Sequence, residues 1–366
     1  MLVSNAFAQK KLIRKLLADN QDTTRKASFM PIPVLGYTQE TGFEFGFGFL
    51  FSTYADAKDS TNRSSNFSST SSYSTKKTYN LSLLGDAWSK GNTYHAIAEL
   101  RFRKMPFNFY GLGNHTAQRD QEQLEEQQIK AQIDLERTFI PHFYTGVSFD
   151  YENYVVRANN PDGLFNQRAN VFGKPGGQVM FIGLSQSYDT RNSNNYPSHG
   201  FFGRVTYQYA PDFFGGQNFT GSQFGVNLRN FWNLGGKFIL GAQGIYKGLS
   251  SDHYPFYLLP QLGNDEIMRG YYNGRFRDRN FLAVQSELRY RYNSRFGAVV
   301  FVGTGTVWGK RTDFAFDYFK PNYGAGLRYF FDPAKGLSVR MDYGIGQKYK
   351  GEERQQGFYI SLAEAF

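Results

Sequence analysis

Side chains able to do acid–base or nucleophilic chemistry are scattered through this sequence. The five histidines, His95, His115, His142, His199 and His253, recur at no i, i+2 or i+4 spacing. No spacing suits zinc. The chain has no Cys, which excludes disulfides, thiolate metal sites and cysteine nucleophiles. His253 follows Asp252 and lies close to Ser250 and Ser251, the residue types of a hydrolytic dyad. Adjacency of this kind is common in loops, and no catalytic residue is assigned. The acidic run from Asp120 to Glu126 could hold a divalent cation or bridge through one to lipopolysaccharide, but a solvated loop is the simpler reading. No metal or cofactor is expected. The formal charge of +10 is spread along the chain, without the basic stripe or motif of a nucleic-acid binder.

Most ionisable side chains instead fall into a pattern of period two. In Phe43-Glu44-Phe45-Gly46-Phe47-Gly48-Phe49-Leu50-Phe51 five Phe share one face, with Glu44, Gly46, Gly48 and Leu50 on the other. Tyr94, Ala96, Ala98, Leu100 and Phe102 alternate with His95, Ile97, Glu99, Arg101 and Arg103. Leu282, Val284, Leu288 and Tyr290 alternate with Ala283, Gln285, Glu287 and Arg289, and Val339, Met341 and Tyr343 with Arg340 and Asp342. Such alternation makes strands with one apolar face.

The strand-rich chain of 366 residues has 37 Phe, 26 Tyr and 39 Gly, with a mean hydropathy of −0.52. It has no apolar run of the length a spanning helix needs, roughly 18 residues. Composition alone fits a soluble sandwich or a membrane barrel, in which lipid-facing and lumen-facing residues cancel. The charged inward faces decide between them, since they would be very costly in a dry core and are ordinary in a polar lumen. The fold class expected is all-β: a transmembrane antiparallel β-barrel of about 16 strands in the outer membrane, the first strand at 31–38 and the last at 356–366. Tight links at SKGN, NLGGK, NSR and DPAKG alternate with long stretches at 105–124, 157–175 and 249–278, as periplasmic turns and external loops do. Two connections depart from this, a short external hairpin at 38–41 and a long periplasmic turn at 56–64.

The barrel is expected over 29–366. Before it, residues 1–8 end in Ala6-Phe7-Ala8, the small-x-small pattern of a secretory cleavage site, and read as a signal remnant or a chance match. Residues 9–28 include KKLIRKLLADN, spaced as a short basic amphipathic helix. It is either a periplasmic segment docking on membrane or partner or a linker that is helical only when packed.

Three stretches resemble the BamA/TamA family of outer-membrane assembly barrels, also called bacterial surface antigens. Gln261-Leu262-Gly263 to Met268-Arg269-Gly270-Tyr271, continuing Gly274-Arg275-Phe276-Arg277-Asp278-Arg279, is similar to the family's sixth external loop, whose R-G-[FY] tip folds into the lumen. Asp189-Thr190-Arg191-Asn192 to Tyr196-Pro197-Ser198-His199-Gly200 resembles its periplasmic turn, and Gly36 to Gly42 its first hairpin. The resemblance implies that Arg269 meets Glu287, inward on the next strand, because an unpaired buried charge is strongly destabilising. Gly270 would let the chain turn past the wall and Tyr271 would pack beside it; otherwise Arg-Gly-Tyr is an exposed loop tip. Where the family often has a second acid, in an F-x-D-x-G pattern, Phe301-Val302-Gly303-Thr304-Gly305 has Gly303, so one acidic partner is expected. In the turn, Asp189 and Asn192 would satisfy backbone N–H groups and Pro197 and Gly200 set the geometry, leaving Arg191 free for lipid headgroups or a periplasmic partner. Phe358, Ile360, Leu362 and Phe366 would form the signal of a closing strand.

By that resemblance the function is outer-membrane biogenesis: aiding insertion or translocation of protein or lipid, or supporting a larger complex, with a passive channel or plain structural barrel as the alternative. Family insertases carry periplasmic receptor domains, for which the stretch before 29 leaves no room, so a member consisting of the barrel only is expected. Partners would be outer-membrane lipid, lipopolysaccharide and proteins of the outer membrane or periplasm. The prolines Pro31 and Pro33 cannot donate ladder hydrogen bonds, which predicts a weak seam between first and last strands or simply marks the first strand's start.

Overall fold

The computed structural model describes residues 25–38 and 42–366. The leader and the amphipathic segment expected over 1–24, and the tip of the first hairpin at 39–41, lie outside the described residues. The strands are β1 (Ser28–Thr38), β2 (Gly42–Tyr54), β3 (Ser64–Ser74), β4 (Tyr79–Trp88), β5 (Tyr94–Phe109), β6 (Glu122–Ile140), β7 (Phe143–Ala158), β8 (Gly176–Asp189), β9 (Gly200–Ala210), β10 (Gly221–Gly235) and β11 (Phe238–Ser250). After the short β12 (Gln261–Leu262) and β13 (Phe276–Arg277) come β14 (Asn280–Arg291), β15 (Phe296–Trp308), β16 (Lys320–Asp332), β17 (Leu337–Ile345) and β18 (Gln356–Leu362). All but β12 and β13 form one sixteen-stranded sheet in chain order, with antiparallel neighbours throughout.

The period-two pattern sets the two faces. Phe43, Phe45, Phe47, Leu100, Val302 and Ile360 are exposed on the outer face, where lipid covers them. The inner face carries His95, Asp134, Glu136, Asp150, Glu152, Glu287, Arg289, Arg340 and Asp342, all buried. Lys247 also points inward, yet remains exposed, as a solvated lumen allows. Among the described residues no helix is long and apolar enough to cross a membrane.

The sheet is rolled. Lys335, in the turn between β16 and β17, donates through Nζ to Ser28 Oγ at the start of β1 (2.8 Å), so the two ends of the sheet are neighbours. Among the described residues, however, no hydrogen-bonded ladder joins β1 to β18. β1 has eleven residues and β18 seven.

The external end is capped by loops. Phe165, on the one-turn helix α1 (Leu164–Gln167), packs with Phe109, Phe219, Phe256, Tyr257 and Leu259 in an apolar dome. Of the acidic run expected as a solvated loop, Asp120 lies in a short turn and Glu122–Glu126 are instead the beginning of β6. There Glu126 pairs with Arg103 (2.9 Å), Glu125 with Lys104 (3.1 Å), and Glu122 accepts the Phe165 N–H (2.7 Å).

The two faces respond differently to charge. Val302→Arg, on the lipid face near the middle of β15, should destabilise the barrel by about 2–4 kcal/mol. Lys247→Gln, in the lumen, should change it by less than about 0.5 kcal/mol. Equilibrium unfolding in urea from phospholipid vesicles measures both, and equal effects would contradict the assignment of faces.

Candidate functional site

The loop between β11 and β14 dives into the lumen. Its base is the small β12–β13 hairpin, in which Gln261 faces Arg277 and Leu262 faces Phe276. Beyond it the chain runs down to Met268-Arg269-Gly270-Tyr271, where Met268 and Gly270 both have left-handed backbone (φ +55° and +107°). These two turns aim Arg269 away from its neighbours. A non-glycine residue in that region is costly, and Met268 holds it while fully buried in a cluster with Leu262, Ile267, Tyr271 and Phe281. At Gly270 a side chain has no room: a Cβ would lie 2.8 Å from the backbone of Gly344 and Ile345 on β17.

Arg269 is entirely buried and has two acidic partners. Nη2 lies 2.6 Å from Glu287 Oε1 on β14, and Nη1 lies 2.7 Å from Asp342 Oδ2 on β17. Its guanidinium covers the Phe301 ring at 3.6 Å. The expectation of a single acid is therefore corrected. Gly303 removes the acid from β15, and β17 supplies it across the loop tip instead. The space over Gly303 is taken by Asn322, whose Oδ1 would be 2.7 Å from a Cβ there and whose Nδ2 donates to Arg269 O (3.0 Å).

The charges continue outward from this pair. Glu287 meets Arg289 (3.0 Å), and Asp342 meets Arg328 (2.6 Å) and Arg340 (3.0 Å). Arg340 reaches Asp265 (2.7 Å) and Arg328 reaches Glu364 (2.7 Å). Arg269, Arg289, Arg328 and Arg340 thus share Asp265, Glu287, Asp342 and Glu364, four guanidinium groups with four side-chain carboxylates. Backbone ties fix the tip as well: Gly270 N–H donates to Tyr359 OH on β18 (2.9 Å), and Tyr271 OH donates to Pro321 O (2.7 Å).

The periplasmic turn folds inward too. Asp189 accepts from Arg191 at 2.8 and 3.0 Å and from Arg63 at 2.6 Å. Arg191 also stacks over Phe202 at 4.4 Å. It is not free for headgroups or partners; a carboxylate two residues away captures it. Asn192 Oδ1 accepts the N–H groups of Ser198 (2.9 Å) and His199 (3.2 Å). Pro197 is buried, and Gly200 has φ +105° with Thr190 O where a Cβ would be. Tyr196 crosses the lumen to an edge-on contact with Phe330 of β16 (4.9 Å). The long turn at 55–63 has its reason here, since it carries Arg63 over this mouth to Asp189.

The chain end requires a further correction. β18 stops at Leu362, with Phe358 and Ile360 exposed outward and Leu362 half-buried. Ala363 takes a left-handed φ of +62° and turns the last residues into the lumen. Phe366 stacks on Phe231 of β10 (5.8 Å), and its backbone oxygen accepts from Arg289 Nη2 (2.8 Å). It leaves the closing strand instead of ending it.

The model of the Omp85 superfamily domain fits residues 34–366. The chain belongs to the Omp85 superfamily. Among solved structures the fold is similar to BamA from Haemophilus ducreyi lacking POTRA domains 1–3, with a TM-score of 0.59 and 14% identity over 93% of this chain and 70% of that one. It is also similar to CdiB from Acinetobacter baumannii (0.55, 12%, 93% and 60%) and CdiB from Escherichia coli (0.58, 10%, 92% and 62%). No curated protein matches in sequence. The Omp85 membership fixes the location, and this is an outer-membrane barrel.

Among the described residues, no side-chain hydrogen bond joins His253 to Asp252, Ser250 or Ser251. The His253 ring packs on Phe172, and it is the His253 backbone N–H that meets Ser251 Oγ (3.2 Å), while that hydroxyl donates to Thr220 O (2.6 Å). Inward His95 lies between Glu136 (3.0 Å) and Asp86 (3.1 Å).

Sequence reasoning missed Asn322, Gly344, Tyr359, Arg63 and the roles of Asp342 and Arg328. Alternation placed Arg340 and Asp342 inward, but which inward groups meet depends on the curvature of the sheet. Removing Glu287 leaves Arg269 and Arg289 short of a carboxylate in a dry site. Glu287→Ala should therefore destabilise the barrel by about 3–5 kcal/mol, read by urea unfolding. Gly270→Ala should free the loop tip, and cleavage within 263–275 by external protease on whole cells should become at least tenfold faster; unchanged cleavage would refute the steric argument.

Proposed function

We propose that this Omp85 barrel serves outer-membrane biogenesis, aiding insertion or translocation of protein or lipid or supporting a larger complex, and that it is not a steadily open channel. One observation carries the reading: the lumen is obstructed from both ends while, among the described residues, no ladder joins the first strand to the last. From outside it is filled by the apolar dome and the Arg269 loop. At the periplasmic mouth it is crossed by the Asp189–Gly200 turn and the 363–366 tail. A pore so filled is a poor conduit for solutes.

The seam has the opposite character. β1 faces a strand four residues shorter than itself, and Pro31 and Pro33 on β1 lack an N–H to offer. Unpaired backbone groups at an edge template the pairing of another strand, and in the hydrocarbon layer they must find partners. These features support a wall that can accept or pass a chain laterally. The bilayer beside a short strand also has less apolar height to match.

Depletion in cells followed by quantitative outer-membrane proteomics tests the insertase version, in which other barrels fall at least threefold in abundance. Unchanged levels of all other barrels would sink it. Planar-bilayer recordings test the rejected channel: the wild type should show no steady conductance, and Arg269→Ala should add frequent openings. A steadily open wild-type pore would favour the channel.

A further inference from the structure

The lipid-facing wall formed by β5 to β8 has a feature that the lumen chemistry does not explain. At the periplasmic end of this wall, register aligns Tyr94 with Arg137, Arg137 with Thr145 and Thr145 with Gln186, all pointing outward. Two residues up each strand, about 7 Å further into the membrane, the aligned row is Ala96, Leu135, Val147 and Leu184, with Ala87 beside Ala96. A polar row next to an apolar row marks the level at which headgroups give way to acyl chains.

Arg137 is the unusual member. Its guanidinium lies between the rings of Tyr94 (5.5 Å) and Phe139 (5.1 Å), and among the described residues no carboxylate lies within ion-pair distance of it. Lys104, outward at the other end of the same strand pair, has Glu125 at 3.1 Å. Rings on either side hold the Arg137 fork in place, and a held fork matches an oxyanion with two donors. Thr145 and Gln186, hydrogen-bonded to each other at 3.1 Å, extend the row with further polar groups.

Below the guanidinium the wall is hollowed. Ala87 and Ala96 are small beside Tyr94 and Leu135, in a groove of about 720 Å³ whose lining continues to Val147 and Leu184. The neighbouring turn is also unlike the polar turns at 89–92 and 293–295. It reads Phe139-Ile140-Pro141, with Phe139 69% and Ile140 64% exposed, and apolar side chains at this level anchor in the interface.

We propose that this groove is a binding site for one glycerophospholipid of the periplasmic leaflet. Its phosphate would sit on Arg137 between Tyr94 and Phe139, and one acyl chain would lie over Ala96 and Ala87. The site depends on the membrane placement of the barrel and not on the insertion function proposed above, so either can fail alone.

The test is native mass spectrometry of the full chain released from detergent micelles, with phosphatidylglycerol as the probe. The wild type should retain one phosphatidylglycerol after loosely held lipid is stripped. Arg137→Ala should lower that retention about tenfold, the loss of roughly one charge-assisted contact. Ala96→Phe, which fills the groove and keeps the cation, should lower it comparably. Arg157→Ala, outward at the external end, should leave it unchanged, and heat-modifiable gel mobility should show every variant folded. If Arg137→Gln and Ala96→Phe both fold and retain the lipid like the wild type, the contact is a general annulus and the site does not exist. Retention of lipopolysaccharide in place of phospholipid would overturn it equally.

Discussion

The rest of the structure depends on the burial of Arg269. An isolated guanidinium removed from water would be prohibitively costly, and here it is removed completely. Two carboxylates and an aromatic face replace its hydration. Those carboxylates are themselves buried and would be unstable alone, so each needs further cations. The cluster closes only when Arg289, Arg328 and Arg340 are neutralised in turn by Glu287, Asp342, Asp265 and Glu364. Ion clusters of this kind add little to stability over an apolar core but lose much when one member is missing. The arrangement is therefore better at selecting one geometry than at strengthening it: β14, β16, β17 and the tail must curve around a loop tip that has only one acceptable position.

Much of this was legible in the sequence and some could not be. Period two revealed the strands because lipid and lumen impose opposite demands on successive residues; β2 with its row of Phe is the plainest case. Arg269 and Glu287 could be paired because the loop resembles the family's and Glu287 is inward on the strand after it. Asp342 could be placed on the inner face but not joined to Arg269, since 73 residues separate them and only the rolled sheet brings them together. Arg191 was misjudged for a local reason: its charge looked free, yet Asp189 satisfies it within the same turn. The chain end was misjudged because alternation carries Phe358, Ile360 and Leu362 toward Phe366, and nothing in the residue type of Ala363 announces a left-handed turn.

The two obstructions of the lumen are made of different forces. The external dome is aromatic and aliphatic, with Phe109 and Phe256 fully buried, and opening it would expose a large apolar area to water. The periplasmic mouth is held by hydrogen bonds among Asn, Ser and Arg side chains, such as Asn66 to Asn195 (2.8 Å) and Asn195 to Lys335 O (2.9 Å). Each exchanges readily with water and contributes about 1 kcal/mol. The mouth is thus held by polar contacts, the buried Asp189 with Arg63 and Arg191 among them, and the dome by apolar burial.

The tail and the loop belong to one charge system, which links the lumen to the seam. Glu364 completes Arg328, Arg328 completes Asp342, and Asp342 completes Arg269. If residues 363–366 left the lumen to lengthen β18, the seam would gain backbone partners for β1. Glu364 would then leave Arg328 with Asp342 alone, and Arg289 would lose the Phe366 backbone oxygen. A longer seam and a complete lumen cluster are alternatives for the same four residues. The chain resolves this in favour of the cluster, because four residues of ladder offer modest net hydrogen-bond energy whereas an unmatched buried guanidinium is far more costly. A short last strand is the consequence of keeping Arg269 and its neighbours paired.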